Sequence, residues 1–83
     1  MMKYRISIKR DAVKSLASLP VPDRQRIDFA ILKLQDGLTG DVKKLKNFVP
    51  RYRLRVGDYR VLFEVEKDEI IIHLIGHRRE TYR

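Results

Sequence analysis

The chain has 83 residues, no cysteine, two histidines and a formal net charge of +8. That length accommodates one domain, residues 1–83, burying only about 60–65% of the surface its unfolded chain exposes. Disulfides, thiolate metal sites and thiol nucleophiles are excluded, and His73 and His77 alone make a poor zinc site, so neither metal nor cofactor is expected.

Residues 3–9 alternate, with Tyr4, Ile6 and Ile8 on one side and Lys3, Arg5, Ser7 and Lys9 on the other, which predicts a half-buried strand. Asp11 is placed to cap a short helix whose apolar stripe is Val13, Leu16 and Ala17. Pro20 ends that helix. Pro22 fits the first turn of a second one, where its missing N–H costs nothing, and Asp23 suits the positive end of the helix dipole. Ile27, Ala30, Ile31, Leu34 and Leu38 then recur at helical spacing, and Gly37 and Gly40 mark where the helix gives out.

Beyond residue 40 the period changes to two. Val42 and Leu45 belong to a short extended segment, and a loop through Asn47 and Pro50 follows. In residues 51–56, Tyr52, Leu54 and Val56 share one face and Arg51, Arg53 and Arg55 the other. Gly57-Asp58 makes a tight reversal. In residues 59–66, Tyr59, Val61, Phe63 and Val65 again share a face, opposite Arg60, Leu62, Glu64 and Glu66. After a turn at residues 67–69, residues 70–75 are apolar almost throughout, as for a central strand covered on both sides. The expected fold is therefore a two-layer α/β (α+β) domain: an N-terminal strand, a helix hairpin, and a mainly antiparallel sheet of three or four further strands. The hairpin covers one sheet face and leaves Arg53, Arg55 and Arg60 together on the other.

Charge placement singles out the same region. Residues 41–60 carry seven basic and two acidic side chains, whereas residues 61–76 carry one basic and four acidic ones. Like charges on neighbouring strands repel, so stability alone explains the arginine cluster poorly. Arginine's rigid, permanently charged fork matches phosphate oxygens. Lys44, Lys46, Arg51 and Arg79 extend the positive surface. Arg78 adds charge after the last strand and Tyr82 an aromatic ring, the combination a single-stranded RNA site uses for backbone and base. The N-terminal residues lack a signal-peptide run and no stretch approaches the roughly 20 apolar residues that span a bilayer, so the cytoplasm is the expected compartment and no membrane partner is expected.

The run Arg51-Tyr-Arg-Leu-Arg-Val-Gly-Asp-Tyr-Arg60, the isoleucine-rich strand and the terminal Gly76-His-Arg…Tyr82 resemble the RelE/ParE toxin superfamily, most of all its RelE-type ribosome-dependent mRNA interferases. The resemblance covers nearly the whole chain. It implies a metal-independent endoribonuclease that cuts messenger RNA in the ribosomal A site by attack of the 2′-hydroxyl on the adjacent phosphate. In that reading Arg60 binds the scissile phosphate, Arg53, Arg55 and Arg78 complete the clamp, and Tyr82 is the C-terminal tyrosine. Some members have lysine where this chain has Arg53 and Arg55; arginine does not serve as a base, which leaves His77, Tyr82 or the ribosome to move the proton. The implied partners are the ribosome, messenger RNA and an acidic, RelB-like antitoxin, with operator DNA bound only through the antitoxin. Two other readings stay open from the sequence: a ParE-like gyrase poison that cleaves nothing, and an inactive nucleic-acid-binding corepressor.

Overall fold

In the computed structural model, which describes residues 3–77, the chain forms five strands and two helices. They are β1 (Arg5–Ile8), α1 (Arg10–Ala17), α2 (Val21–Lys33), β2 (Asp41–Lys44), β3 (Tyr52–Val56), β4 (Tyr59–Glu66) and β5 (Glu69–His77), with a 3₁₀ turn at Leu34–Asp36 after α2. The strands make one sheet in the order β1-β5-β4-β3-β2. The helix hairpin carries the chain from one sheet edge to the other, and β2 to β5 return as an antiparallel meander. β5 thus arrives beside β1 running parallel to it, with Ile6 opposite Ile70 and Ile8 opposite Ile72. This is the α+β architecture expected, with four strands after the hairpin.

The helices differ from expectation in detail. α1 begins at Arg10, so Lys9 is the capping residue without a side-chain cap, and Asp11 sits in the first turn. There its charge meets the helix dipole instead of capping it. Val13 is 49% exposed while Ala12 is fully buried, so the inward stripe runs through Ala12, Leu16 and Leu19. The reason is close approach: α1 lies on β5, and a methyl side chain allows that where valine would hold it off. α2 starts as the sequence predicts, with Pro22 and Asp23 in its first turn and Ile27 and Ile31 facing inward. It tightens into the 3₁₀ turn that buries Leu34.

Ala12, Ile27, Ile31, Leu34, Leu54, Val61, Phe63, Ile70, Ile72 and Ile75 form the core between helices and sheet. Phe63 anchors it, its ring stacked on Tyr52 with centroids 5.4 Å apart. The register of β4 against β5 slips between Leu62, opposite Leu74, and Phe63, opposite Ile72. His73 is the extra residue of that bulge. It returns Ile75 to the core face after Ile70 and Ile72, which strict alternation would not do. β5 is one strand in from the edge and is covered on its second face only in part, with Ile71 half-buried and Leu74 36% exposed. Among the described residues, no helix is long and apolar enough to cross a membrane.

Candidate nucleic-acid interface

The pleat of β3 and β4 sends Tyr52, Leu54, Val61 and Phe63 toward the helices and Arg53, Arg55 and Arg60 to the opposite face. Gly57, with φ +59°, supplies the left-handed backbone that makes the connecting turn tight. The turn fixes the register so that Arg55 lies directly opposite Arg60 and Arg53 opposite Leu62. The three arginines are therefore brought together on one face. They differ in exposure: Arg55 is exposed, Arg53 half-buried, and Arg60 only 9% accessible. Arg60 Nη1 donates to the carbonyls of Tyr59 at 3.2 Å and Gly57 at 3.5 Å. The backbone of the turn thus holds the guanidinium, and no carboxylate among the described residues forms an ion pair with it.

β2 completes this face. Asp41 pairs with Arg55 and Lys43 with Arg53 across the strands, so Lys43 joins the cluster, whereas the sequence pattern points to Lys44. Lys44 lies opposite Tyr52, on the helix side of the sheet edge, and Lys46 is exposed in the loop beyond. Both border, with Lys43, Leu45 and Phe48, a shallow hollow of about 380 Å³. Arg53 Nη2 meets Asp41 Oδ1 at 3.3 Å, and its buried Nε has no hydrogen-bond partner among the described residues. Arg51 is claimed by Glu64: its backbone N–H donates to Oε2 at 2.8 Å and its Nε to Oε1 at 3.0 Å. Glu64 shares a face of β4 with Arg60, yet its carboxylate is spent on Arg51. Asp41 and Lys43 are neighbours of the cluster that sequence reasoning misses, whereas Glu64, which alternation already places on the face of Arg60, engages Arg51 instead. Alternation of Asp41 and Lys43 about Val42 is the available signal, and its meaning depends on β2 pairing with β3.

His77 is not brought to this face. It lies opposite Tyr59, its ring edge-on to the Tyr59 ring at 5.9 Å between centroids, beside a 310 Å³ cleft that Ser15, Ser18 and Leu19 also line. Tyr59 in turn donates its hydroxyl to Asp23 Oδ2 at 3.2 Å. Burial first, then that hydrogen bond to a carboxylate, raise the Tyr59 phenol above its ordinary pKa. His73 is half-buried, and burial, followed by the nearby Lys9 charge, lowers its pKa. Arg78, Arg79 and Tyr82 lie outside the described residues. The described face can therefore hold phosphate oxygens with fixed cations. Its carboxylates among the described residues, Asp41 and Glu64, are engaged by Arg53 and Arg51, and His77 does not stand beside the arginines.

Comparison with known proteins agrees with this architecture. Residues 6–82 match the family described as ParE toxin of type II toxin-antitoxin system, parDE. The protein named Toxin RelE3 of Methanocaldococcus jannaschii is 35% identical over 83 aligned residues, which cover 94% of each chain. The crystal structure of the RelB-RelE antitoxin-toxin complex from Methanococcus jannaschii superposes with a TM-score of 0.77 at 35% identity, over 92% of this chain and 94% of that one. The archaeal RelE-RelB complex from Pyrococcus horikoshii OT3 superposes with a TM-score of 0.80 at 31% identity, over 96% of this chain and 100% of that one. With fold, basic strand pair and relatives in agreement, this chain belongs to the RelE/ParE family of type II toxin–antitoxin toxins.

Proposed function

We propose that this toxin is a ribosome-dependent endoribonuclease that cuts messenger RNA in the A site. The observation that carries the reading is the direct cross-strand pairing of Arg55 with Arg60, beside an Arg53 whose buried Nε lacks a partner among the described residues. Adjacent like charges cost stability, and a bound phosphate turns that repulsion into attraction. In the proposed step the RNA 2′-oxygen attacks the adjacent phosphorus and gives up its proton. The bond from phosphorus to the 5′-oxygen breaks, that oxygen gains a proton, and a 2′,3′-cyclic phosphate remains. Arg60, Arg55 and Arg53 stabilise the charge that grows on the phosphorane oxygens, a preorganised electrostatic effect. Arg78 and Tyr82 complete the clamp in this proposal, and Lys44, Lys46, Arg51 and Arg79 attract the RNA backbone at longer range. His77, on the opposite sheet face at Tyr59, is poorly placed for the proton transfer, which favours Tyr82 or a ribosomal group.

The proposed partner in the cell is a RelB-like antitoxin, supported by the two archaeal complexes and by the net charge of +8, which an acidic segment would neutralise. The complex would bind operator DNA through the antitoxin, in the cytoplasm. The test adds purified toxin to a translating extract and maps messenger 5′ ends, with a gyrase supercoiling assay in parallel. Cuts within the A-site codon that vanish in Arg60→Ala are expected. Intact messenger with inhibited gyrase would overturn the nuclease reading in favour of a gyrase poison, and neither effect would leave a binding role.

A further inference from the structure

We infer that Asp41 is a built-in competitor for the phosphate site: in the free toxin its carboxylate occupies Arg53, and substrate phosphate must displace it. The inference rests on the phosphate-clamp reading above and adds its regulation. Asp41 stands on the edge strand directly opposite Arg55, and its Oδ1 reaches diagonally to Arg53 Nη2 at 3.3 Å. The carboxylate thus holds the Arg53 Nη2 that a phosphate oxygen would engage, on the strand position facing Arg55. Three features make it displaceable. The contact is single and long for a charge-assisted bond. The Asp41 side chain is 56% exposed, so solvent weakens the pair. It also leaves Arg53 Nε buried and unpartnered among the described residues. A phosphate that displaces Asp41 takes over Nη2 and brings further acceptor oxygens for Nε once a shift of the Arg53 side chain, 12% exposed as it stands, uncovers it.

This placement has a functional consequence. A fully bare arginine cluster would hold any polyanion. An internal carboxylate on one arm of the clamp raises the threshold, so that only a ligand engaging several arginines at once displaces it. Asp41 is on this view a specificity residue acting through Arg53; it does not itself touch the reacting atoms.

The test uses the full chain, 15N-labelled, with inorganic pyrophosphate as the probe and the arginine Nε–Hε resonances as the readout. In the wild type the Arg53 resonance is expected to move on titration. Asp41→Asn, and independently Asp41→Ser, should lower the midpoint by about two- to fivefold, the range of a solvent-exposed ion pair. With a short single-stranded RNA as probe, the dependence of log affinity on log salt should steepen by about 0.7 for the one additional cation. In an Arg53→Gln background the gain from Asp41→Asn should largely disappear. A still Arg53 resonance would overturn the inference. So would an unchanged or raised midpoint in both Asp41 variants, or a gain that survives loss of Arg53. Because pyrophosphate binding does not require cleavage, the two readings fail separately. Displacement of Asp41 without messenger cleavage would sink the nuclease proposal alone, and cleavage with an inert Asp41 would sink only this one.

Discussion

The hydroxyl of Tyr59, at the start of β4, donates to Asp23 Oδ2 in the first turn of α2 across 3.2 Å and 36 residues of sequence. Asp23 also holds Arg26 at 2.9 Å. The carbonyl of Tyr59 is an acceptor for Arg60 Nη1, so one residue ties the helix layer to the backbone that orients the buried arginine.

Tyr59→Phe should lower the melting temperature by a few degrees and reduce cleavage more through kcat than through KM, because Arg60 remains but is less firmly oriented. The variant also has a pH signature. Burial and the Asp23 bond raise the folded-state pKa of Tyr59 above its ordinary 10.0. The folded protein therefore keeps that proton more tightly than the unfolded chain, and the associated stability is full below pH 10.0 and lost as pH rises through the higher folded value. Thermal melts across that range should converge for wild type and variant at the alkaline end.

Arg55→Gln should separate stability from function. Arg55 is exposed and faces Arg60 across the strands, so removing its charge relieves a repulsion worth about 0.2–1 kcal/mol. The variant is expected to melt at the same or a slightly higher temperature in low salt, while its RNA affinity falls and its salt dependence becomes shallower by about 0.7. A clear loss of stability would contradict the assignment of Arg55 to function.

His73→Gln should flatten the acid side of the stability profile. Burial, then Lys9, depress the His73 pKa below its ordinary 6.5. The unfolded chain takes up a proton there that the folded chain resists, so this contribution is complete above pH 6.5 and declines as pH falls through the lower folded value. Denaturant titrations between neutral and mildly acid pH should show a smaller slope in the variant.

Glu64→Ala should loosen the segment leading into β3. Glu64 is 8% exposed and accepts from both the backbone N–H and the Nε of Arg51. Leaving that part-buried amide without its acceptor costs about 1–3 kcal/mol, a sizeable share of a total of about 4–12 kcal/mol for a chain of this size. Faster amide exchange at Arg51, with the β4–β5 pairing still protected, is the expected pattern.

Much of this architecture is legible in the residues. The alternation of Tyr52, Leu54 and Val56 with Arg53 and Arg55 is local, and a strand has only two faces. Gly57 and the pattern of residues 59–65 therefore suffice to place Arg60 beside Arg55. Parity fails at β5, where residues 70–75 are apolar on both sides and a bulge at His73 resets the alternation. Nothing local distinguishes an extra residue there. Nor does parity indicate that His77 faces Tyr59 and α1, away from the arginines. Similarly, Ala12 is no more conspicuous in the sequence than Val13, yet close packing on β5 makes it the buried one.

The basic hairpin, its turn and the face its arginines share were determined by the sequence alone, because pleat and turn chemistry act over a few neighbouring residues. The partners of those arginines were decided only by the tertiary structure. Asp41 reaches Arg53, Glu64 takes Arg51, and the turn carbonyls hold Arg60, and a carboxylate's choice among several nearby cations depends on register and reach across strands. Charge composition predicts that such pairs form; only the folded sheet selects which arginines remain available to a phosphate.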